Sequence, residues 1–206
     1  MTEISIPKNN EEEFIEIASK LGIKKLYFLY DFDDYNKNRM QEKLASTESK
    51  SKIEVKTGFI VNQKNISKAL QQSKLLVAKS SDNDRFFIES KKIRLVYGFE
   101  EVHKKDYLHQ RASGLNHIIC ELARKNNVTI GFSYSSLFSK NTTVSSLFMG
   151  RMMQNINLCQ KYNIKTAIGS FSDKPFEMRA PHDMASLFSM LGMGGKNIKE
   201  STTLNL

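Results

Sequence analysis

The chain has 206 residues with 40% hydrophobic content, enough to bury a substantial core, and no apolar run reaches the ~20 residues a membrane-spanning helix needs. Its 31 lysines and arginines against 22 acidic residues leave a net charge of +9, which favours a polyanionic partner, although a lysine-rich mix with frequent Asn, Ile and Ser also follows from a biased genome. Two isolated cysteines, Cys120 and Cys159, make neither a disulfide framework nor a zinc site, and with no signal-peptide pattern they point to a cytoplasmic protein.

In chain order, "EISIP" at 3–7 is a short strand, and "EEEFIEIASKLG" is a helix with Phe14, Ile17, Ala18 and Leu21 at helical spacing and Gly22 just past its end. "KKLYFLYDF" is a near-continuous apolar run, as a buried parallel strand requires. A polar helix over "YNKNRMQEKLAS" leads to the strand "KIEVKTGFIV", the helix "NISKALQQS" and the strand "KLLVAKS". The helix "NDRFFIESKK", the strand "IRLVYGFE", a helix over 113–126 and the strand "VTIGFS" follow. A long helix over 142–162 carries Val144, Leu147, Phe148, Met152, Ile156 and Cys159 on one side. "KTAIGSFS" is a strand, and "PHDMASLFSMLGM" a helix with Pro181 in its first turn. Residues 194–206, led by glycine and polar, predict an irregular tail after one domain over 1–193.

This alternation predicts an α/β fold with about seven parallel strands. With no G-x-G-x-x-G motif and no P-loop, a TIM-like (β/α) barrel, somewhat short or irregular, is favoured over an open nucleotide-binding sheet.

In a barrel the loops after the strand C-termini form the functional face. The loop after "RLVYGF" carries Glu100, His103, Lys104, Lys105, His109 and Arg111, and the loop after "KTAIGS" carries Asp173, Lys174, Glu177 and Arg179. Asp31, Asp33 and Asp34 follow "LYFLY", while Asp82 and Asp84 follow "KLLVAKS", with Arg85 entering the next helix. Ser113 is a candidate N-cap, and a helical wheel groups Leu115, Ile118, Ile119 and Leu122 with His117 roughly opposite. His117 therefore points away from the core near a helix start, which favours anions rather than an imidazolium. Four separated histidines contain no H-x-H or H-E-x-x-H pair, and no G-x-S-x-G elbow is present. Taken alone, His117 also fits an exposed cap-supporting residue, and Arg179 fits a salt bridge to Glu177 or Asp183.

The segments "SGLNHIICELARKNNVTIGFSYSSLF", "RMMQNINLCQKYNIKTAIGS" and "FEMRAPHDMASLFSMLGM" together resemble the ribonuclease P protein component 3 family over about residues 113–193. This is the archaeal counterpart of the thirty-kilodalton subunit of eukaryotic nuclear ribonuclease P. The resemblance implies a TIM-like barrel related to PHP-type phosphoesterases, acting as a subunit of the ribonucleoprotein that removes 5′ leaders from precursor tRNA. It implies that the RNA carries the catalytic Mg2+ ions, that this chain holds no cofactor, metal or catalytic residue, and that its partners are ribonuclease P RNA, precursor tRNA and a small α/β subunit of the Pop5 type. His117 matches the histidine of S-G-x-[ND]-H and Arg179 the arginine of M-R-x-P-x-D, while Arg85 and Arg111 fall where basic residues are common. Arg85, Arg111, His117 and Arg179 are the expected RNA-binding residues. The alternative is an autonomous metal-dependent phosphoesterase using Asp31, Asp33, His109 or His117.

Overall fold

The computed structural model describes residues 1–34, 53–138 and 141–203. Seven strands, β1 (Thr2–Ser5), β2 (Lys25–Asp31), β3 (Glu54–Ile60), β4 (Leu76–Lys79), β5 (Leu95–Tyr97), β6 (Thr129–Ser133) and β7 (Thr166–Gly169), lie side by side in sequence order. Every neighbouring pair is parallel. Beyond the ladder, the Phe171 N–H donates to the Ile4 carbonyl at 2.8 Å and the Ile6 N–H to the Ser172 carbonyl at 2.9 Å, so the last strand returns to the first. The result is the nearly closed TIM-like barrel that the alternation predicts.

Side-chain alternation along the strands divides the core into two. Ile4, Tyr27, Leu29, Val77, Leu95 and Tyr97 form a cluster inside the barrel, where the Tyr97 and Phe171 rings stack at 4.4 Å. Gly131 leaves room for that stack, since a Cβ there would stand 2.9 Å from the Phe171 ring. The other strand face, including Leu26, Phe28, Val96, Ile130 and Ile168, packs with Phe14, Ile88, Ile119, Ala123, Ile156 and Phe188 of the helices.

The described helices are α1 (Glu11–Lys20), α2 (Ile66–Leu70), α3 (Asp84–Glu89), α4 (His117–Asn126), α5 (Thr142–Lys161), α6 (Pro181–Met190) and α7 (Gly195–Thr202). Pro181 opens α6 as expected. The helix expected over 35–46 lies outside the described residues.

Three expectations need correction. Helix α4 begins at His117 rather than near 113, and its cap is Asn116, whose Oδ1 accepts the Ile119 N–H at 3.0 Å. Ser113 is instead buried, and its carbonyl accepts a bond from Asn155. The buried face of α4 is Ile119, Cys120 and Ala123, with Ile118 exposed, because the helix is tilted one residue further round than the wheel drawn from 113 implies. The tail is helical over Gly195–Thr202: Ile198 is buried, and the Ser201 and Thr166 hydroxyls bond at 2.5 Å, which anchors the helix to β7.

Glu3 sits at the seam of the barrel. Its Oε1 accepts the Ser170 N–H at 2.7 Å and its Oε2 accepts the Tyr134 hydroxyl at 3.0 Å. Burial pushes this carboxyl up to about 7.

Candidate nucleic-acid interface

Because all strands are parallel, their C-terminal ends and the starts of the following helices share one end of the barrel. All four expected RNA-binding residues belong to loops or helix starts at that end. Arg111 and His117 are both exposed and share the β5–α4 connection. Arg85 is exposed at the start of α3, the neighbouring helix, and its Nε donates to Glu89 at 2.9 Å. Arg179 follows β7 at the seam, so strand order puts it across the ring from Arg85. The four thus divide into one group at β4–β6 and one residue apart.

Arg179 makes no ion pair with Glu177 or Asp183. Its Nη1 donates to the carbonyls of Phe176 at 2.8 Å and Met178 at 2.9 Å, and its guanidinium lies 5.0 Å from the Phe138 ring centre. Glu177 is engaged by Ser172 and Lys174. Half-exposed and flanked by the exposed Phe138 and Phe176, Arg179 presents a cation beside aromatic faces.

The β5–α4 connection is the longest between described strands and helices, and its shape comes from buried polar bonds. Gly98, at φ 82°, turns the chain into a 3-10 turn over Phe99–Glu101. Gly114, at φ 84°, is pressed against Phe99: a Cβ would stand 2.5 Å from the Phe99 carbonyl oxygen. Beneath the loop lies Arg151 of α5, with 0% exposure. Its Nε donates to Asp106 Oδ1 at 2.8 Å, and its Nη1 donates to the carbonyls of Glu100 at 2.7 Å and His103 at 2.6 Å. One turn on, Asn155 donates to Glu100 Oε1 at 2.7 Å and to the Ser113 carbonyl at 2.8 Å. Burial pushes the Glu100 carboxyl up to about 7. Asp106, also bonded by the Ala112 N–H, goes the other way: its desolvation is outweighed by that N–H and by Arg151, which hold it below the usual carboxylate range.

Packing and capping account for most of the "SGLNH" turn: Ser113 and Leu115 are buried, Gly114 meets Phe99, and Asn116 caps α4. His117, exposed, is left with no packing task. In the "MRAPHD" run, Met178 is buried and Pro181 starts a helix, which leaves Arg179 as the half-exposed cation.

Sequence reasoning missed Arg151 and Asn155. A signal was present, because residues 151, 152, 155, 156 and 159 span roughly 140° of a helical wheel, which puts both polar residues on the core-facing stripe.

No group of three His, Cys, Asp or Glu side chains is placed to hold an ion among the described residues. Asp33, a ligand candidate for the phosphoesterase alternative, is spent on Asn62 and Asn65, which bond its two oxygens at 2.9 and 3.1 Å. Asp31 accepts the Asp33 N–H at 3.0 Å. No described helix is long and apolar enough to cross a membrane.

Comparison with known proteins bears on the same segments. The family model described as RNase P subunit p30 matches residues 104–205, which include Arg111, His117 and Arg179 but not Arg85. Ribonuclease P protein component 3 of Methanocaldococcus jannaschii is 23% identical over 194 residues, covering 91% of this chain and 82% of that protein. Its counterpart from Thermococcus gammatolerans is 30% identical over 128 residues, covering 61% of this chain and 56% of that protein. In fold, the chain is similar to a chain of the cryo-EM structure of archaeal ribonuclease P with mature tRNA, with a TM-score of 0.79 and 18% identity over 98% of this chain and 87% of that one. The C-terminal half of the chain thus matches the RNase P subunit p30 family model, and the chain as a whole is similar to archaeal proteins named ribonuclease P protein component 3.

Proposed function

We propose that this chain is a protein subunit of ribonuclease P, the ribonucleoprotein that removes the 5′ leader from precursor tRNA, and that it binds RNA while the RNA holds the catalytic Mg2+. The observation that carries this reading is the division of labour within the family-matched segments. Once packing and capping are accounted for, Arg111, His117 and Arg179 remain presented to solvent at one end of the barrel.

Cations at that end would meet phosphates, which position an RNA without reading its sequence. Arg179, beside Phe138, would also offer a flat surface to an unstacked base. His117, at the start of α4, would add a hydrogen-bonding group near free backbone N–H donors. Arg85, tied to Glu89, makes the smaller contribution. By the resemblance to ribonuclease P protein component 3, the chain itself would supply no catalytic residue and hold no metal, with the chemistry left to the RNA. A small α/β subunit of the Pop5 type is the expected protein partner. A reducing cytoplasm suits the two buried free thiols, Cys120 and Cys159.

Arg179→Ala tests the assignment. Binding to the cognate ribonuclease P RNA, titrated over a salt series, should weaken, and its logarithmic salt slope should shrink by about 0.7 to 0.9, the share of one phosphate contact. An unchanged affinity and slope would remove Arg179 from the interface.

A further inference from the structure

A cleft of about 580 Å3 opens between the β5–α4 loop and the first turns of α5. Lys104, Lys105 and Arg111 line one wall, and Thr143, Ser146 and Gly150 line the other. We propose that this cleft is a binding site for the phosphodiester backbone of an RNA strand, and that Arg151 is the positioning residue that keeps its cationic wall in place. The proposal rests on the RNA-binding reading above.

Both lysines are exposed, and neither has an ion-pair partner among the described residues, so their charge is free for a ligand. Arg111 leans on the opposite wall, donating to the Gly150 carbonyl at 3.2 Å. Its guanidinium can approach because position 150 has no side chain: a Cβ there would stand 3.2 Å from Arg111 Nε. Exposed Thr143 and Ser146 bring hydroxyl donors to the same space. The one carboxylate in the lining, Asp106, has its charge offset from below by buried Arg151. Three cations lining one open cleft suit the phosphates of a nucleic-acid strand.

The loop reaches this position through Arg151. Its bond to the His103 carbonyl fixes the peptide that begins Lys104. Its bond to Asp106, which also accepts the Ala112 N–H, fixes the chain next to Arg111. Arg151 touches no ligand itself, being fully buried.

The test is binding of the full chain to the cognate ribonuclease P RNA over a potassium chloride series, comparing wild type, K104A/K105A, R151K and the triple variant. K104A/K105A should bind about tenfold more weakly at low salt, with a slope smaller by about 1 to 2. R151K keeps the charge but loses the fork; it should lower the slope in the wild-type background and by clearly less on the K104A/K105A background, where only Arg111 is left to misplace, whereas a general loss of stability would cost the same on both. Wild-type affinity and slope in K104A/K105A would overturn the cleft, and additive losses would overturn the role of Arg151. Inorganic phosphate at matched ionic strength should not displace the RNA; displacement would assign the cleft to a free anion instead. Failure of the wild-type chain to bind RNA at all would instead sink the ribonuclease P reading.

Discussion

Glu3 and Glu100 are both fully buried carboxyls pushed up to about 7, one at the barrel seam and one beneath the β5–α4 loop, and their surroundings differ in kind. At the seam, both Glu3 oxygens are bonded, by the Ser170 N–H and the Tyr134 hydroxyl, and backbone bonds between Phe171 and Ile4 and between Ile6 and Ser172 run alongside. Under the loop, Glu100 takes one bond from Asn155, and the loop backbone hangs on Arg151 and Asn155 side chains rather than on a ladder. The seam is therefore part of the barrel's global stability. The loop is a separately held unit whose shape depends on two side chains of α5. Nature of attachment, more than depth of burial, decides which region can be perturbed without opening the fold.

The largest effect should come from Arg151→Met. It removes the Arg151 donors from Asp106, which keeps only the Ala112 N–H, and from the carbonyls of Glu100 and His103; with about 1 to 3 kcal/mol for each buried acceptor left unbonded, the total should reach about 3 to 5 kcal/mol. Urea unfolding should register the loss, and hydrogen exchange should rise first in amides of the loop at 99–113 rather than in β1 and β7. Equal exposure of the seam would erase the distinction between the two regions.

The two carboxyls themselves sharpen the comparison. A carboxyl raised from 4.5 to about 7 on folding contributes its full stability below pH 4.5 and loses it as pH rises through 7, here by roughly 3 kcal/mol for each group. Glu100→Gln keeps an oxygen for Asn155, so it should remove its share of that fall and leave the protein more stable at about pH 8 than wild type. Glu3→Gln also removes a titration, but its amide nitrogen only donates, so the Tyr134 hydroxyl that donates to the Glu3 carboxylate must turn to accept, which should take back about 1 to 3 kcal/mol of the gain at about pH 8. Urea midpoints across pH for the two variants would show the difference, and matching profiles would contradict it.

Asn116→Ala should have the smallest effect. It removes the bond to the Ile119 N–H and should cost about 1 kcal/mol by thermal unfolding, with little change in RNA affinity because His117 keeps its place on the first turn. A large affinity loss with no thermal shift would mean that Asn116, rather than His117, faces the RNA.

These regions also show what the sequence makes legible. Hydrophobic period and turn residues mark every described strand and the seven-strand barrel, since both depend on local pattern and on the rule that consecutive parallel strands neighbour one another. The positions of Arg111, His117 and Arg179 at the strand C-terminal end follow from that topology. The start of α4 at His117 was not legible, because Ser113 and Asn116 are both credible caps and only the close approach of Gly114 to Phe99 decides between them. The Arg151 network was hidden for a different reason. Its partners, Glu100, His103 and Asp106, lie in a segment whose charged composition reads as an exposed loop, and only the fold brings α5 beneath it. The helical tail at Gly195–Thr202 depends likewise on a tertiary partner, β7, that a glycine-led polar sequence does not announce.

The most direct measurement is reconstituted cleavage of precursor tRNA at moderate magnesium, with the cognate ribonuclease P RNA and the small α/β partner, in the presence and absence of this chain. The account predicts a gain in cleavage rate when the chain is added, diminished by Arg179→Ala, and no cleavage by the chain without RNA. No gain over RNA and partner alone, or turnover by the chain without RNA, would contradict it.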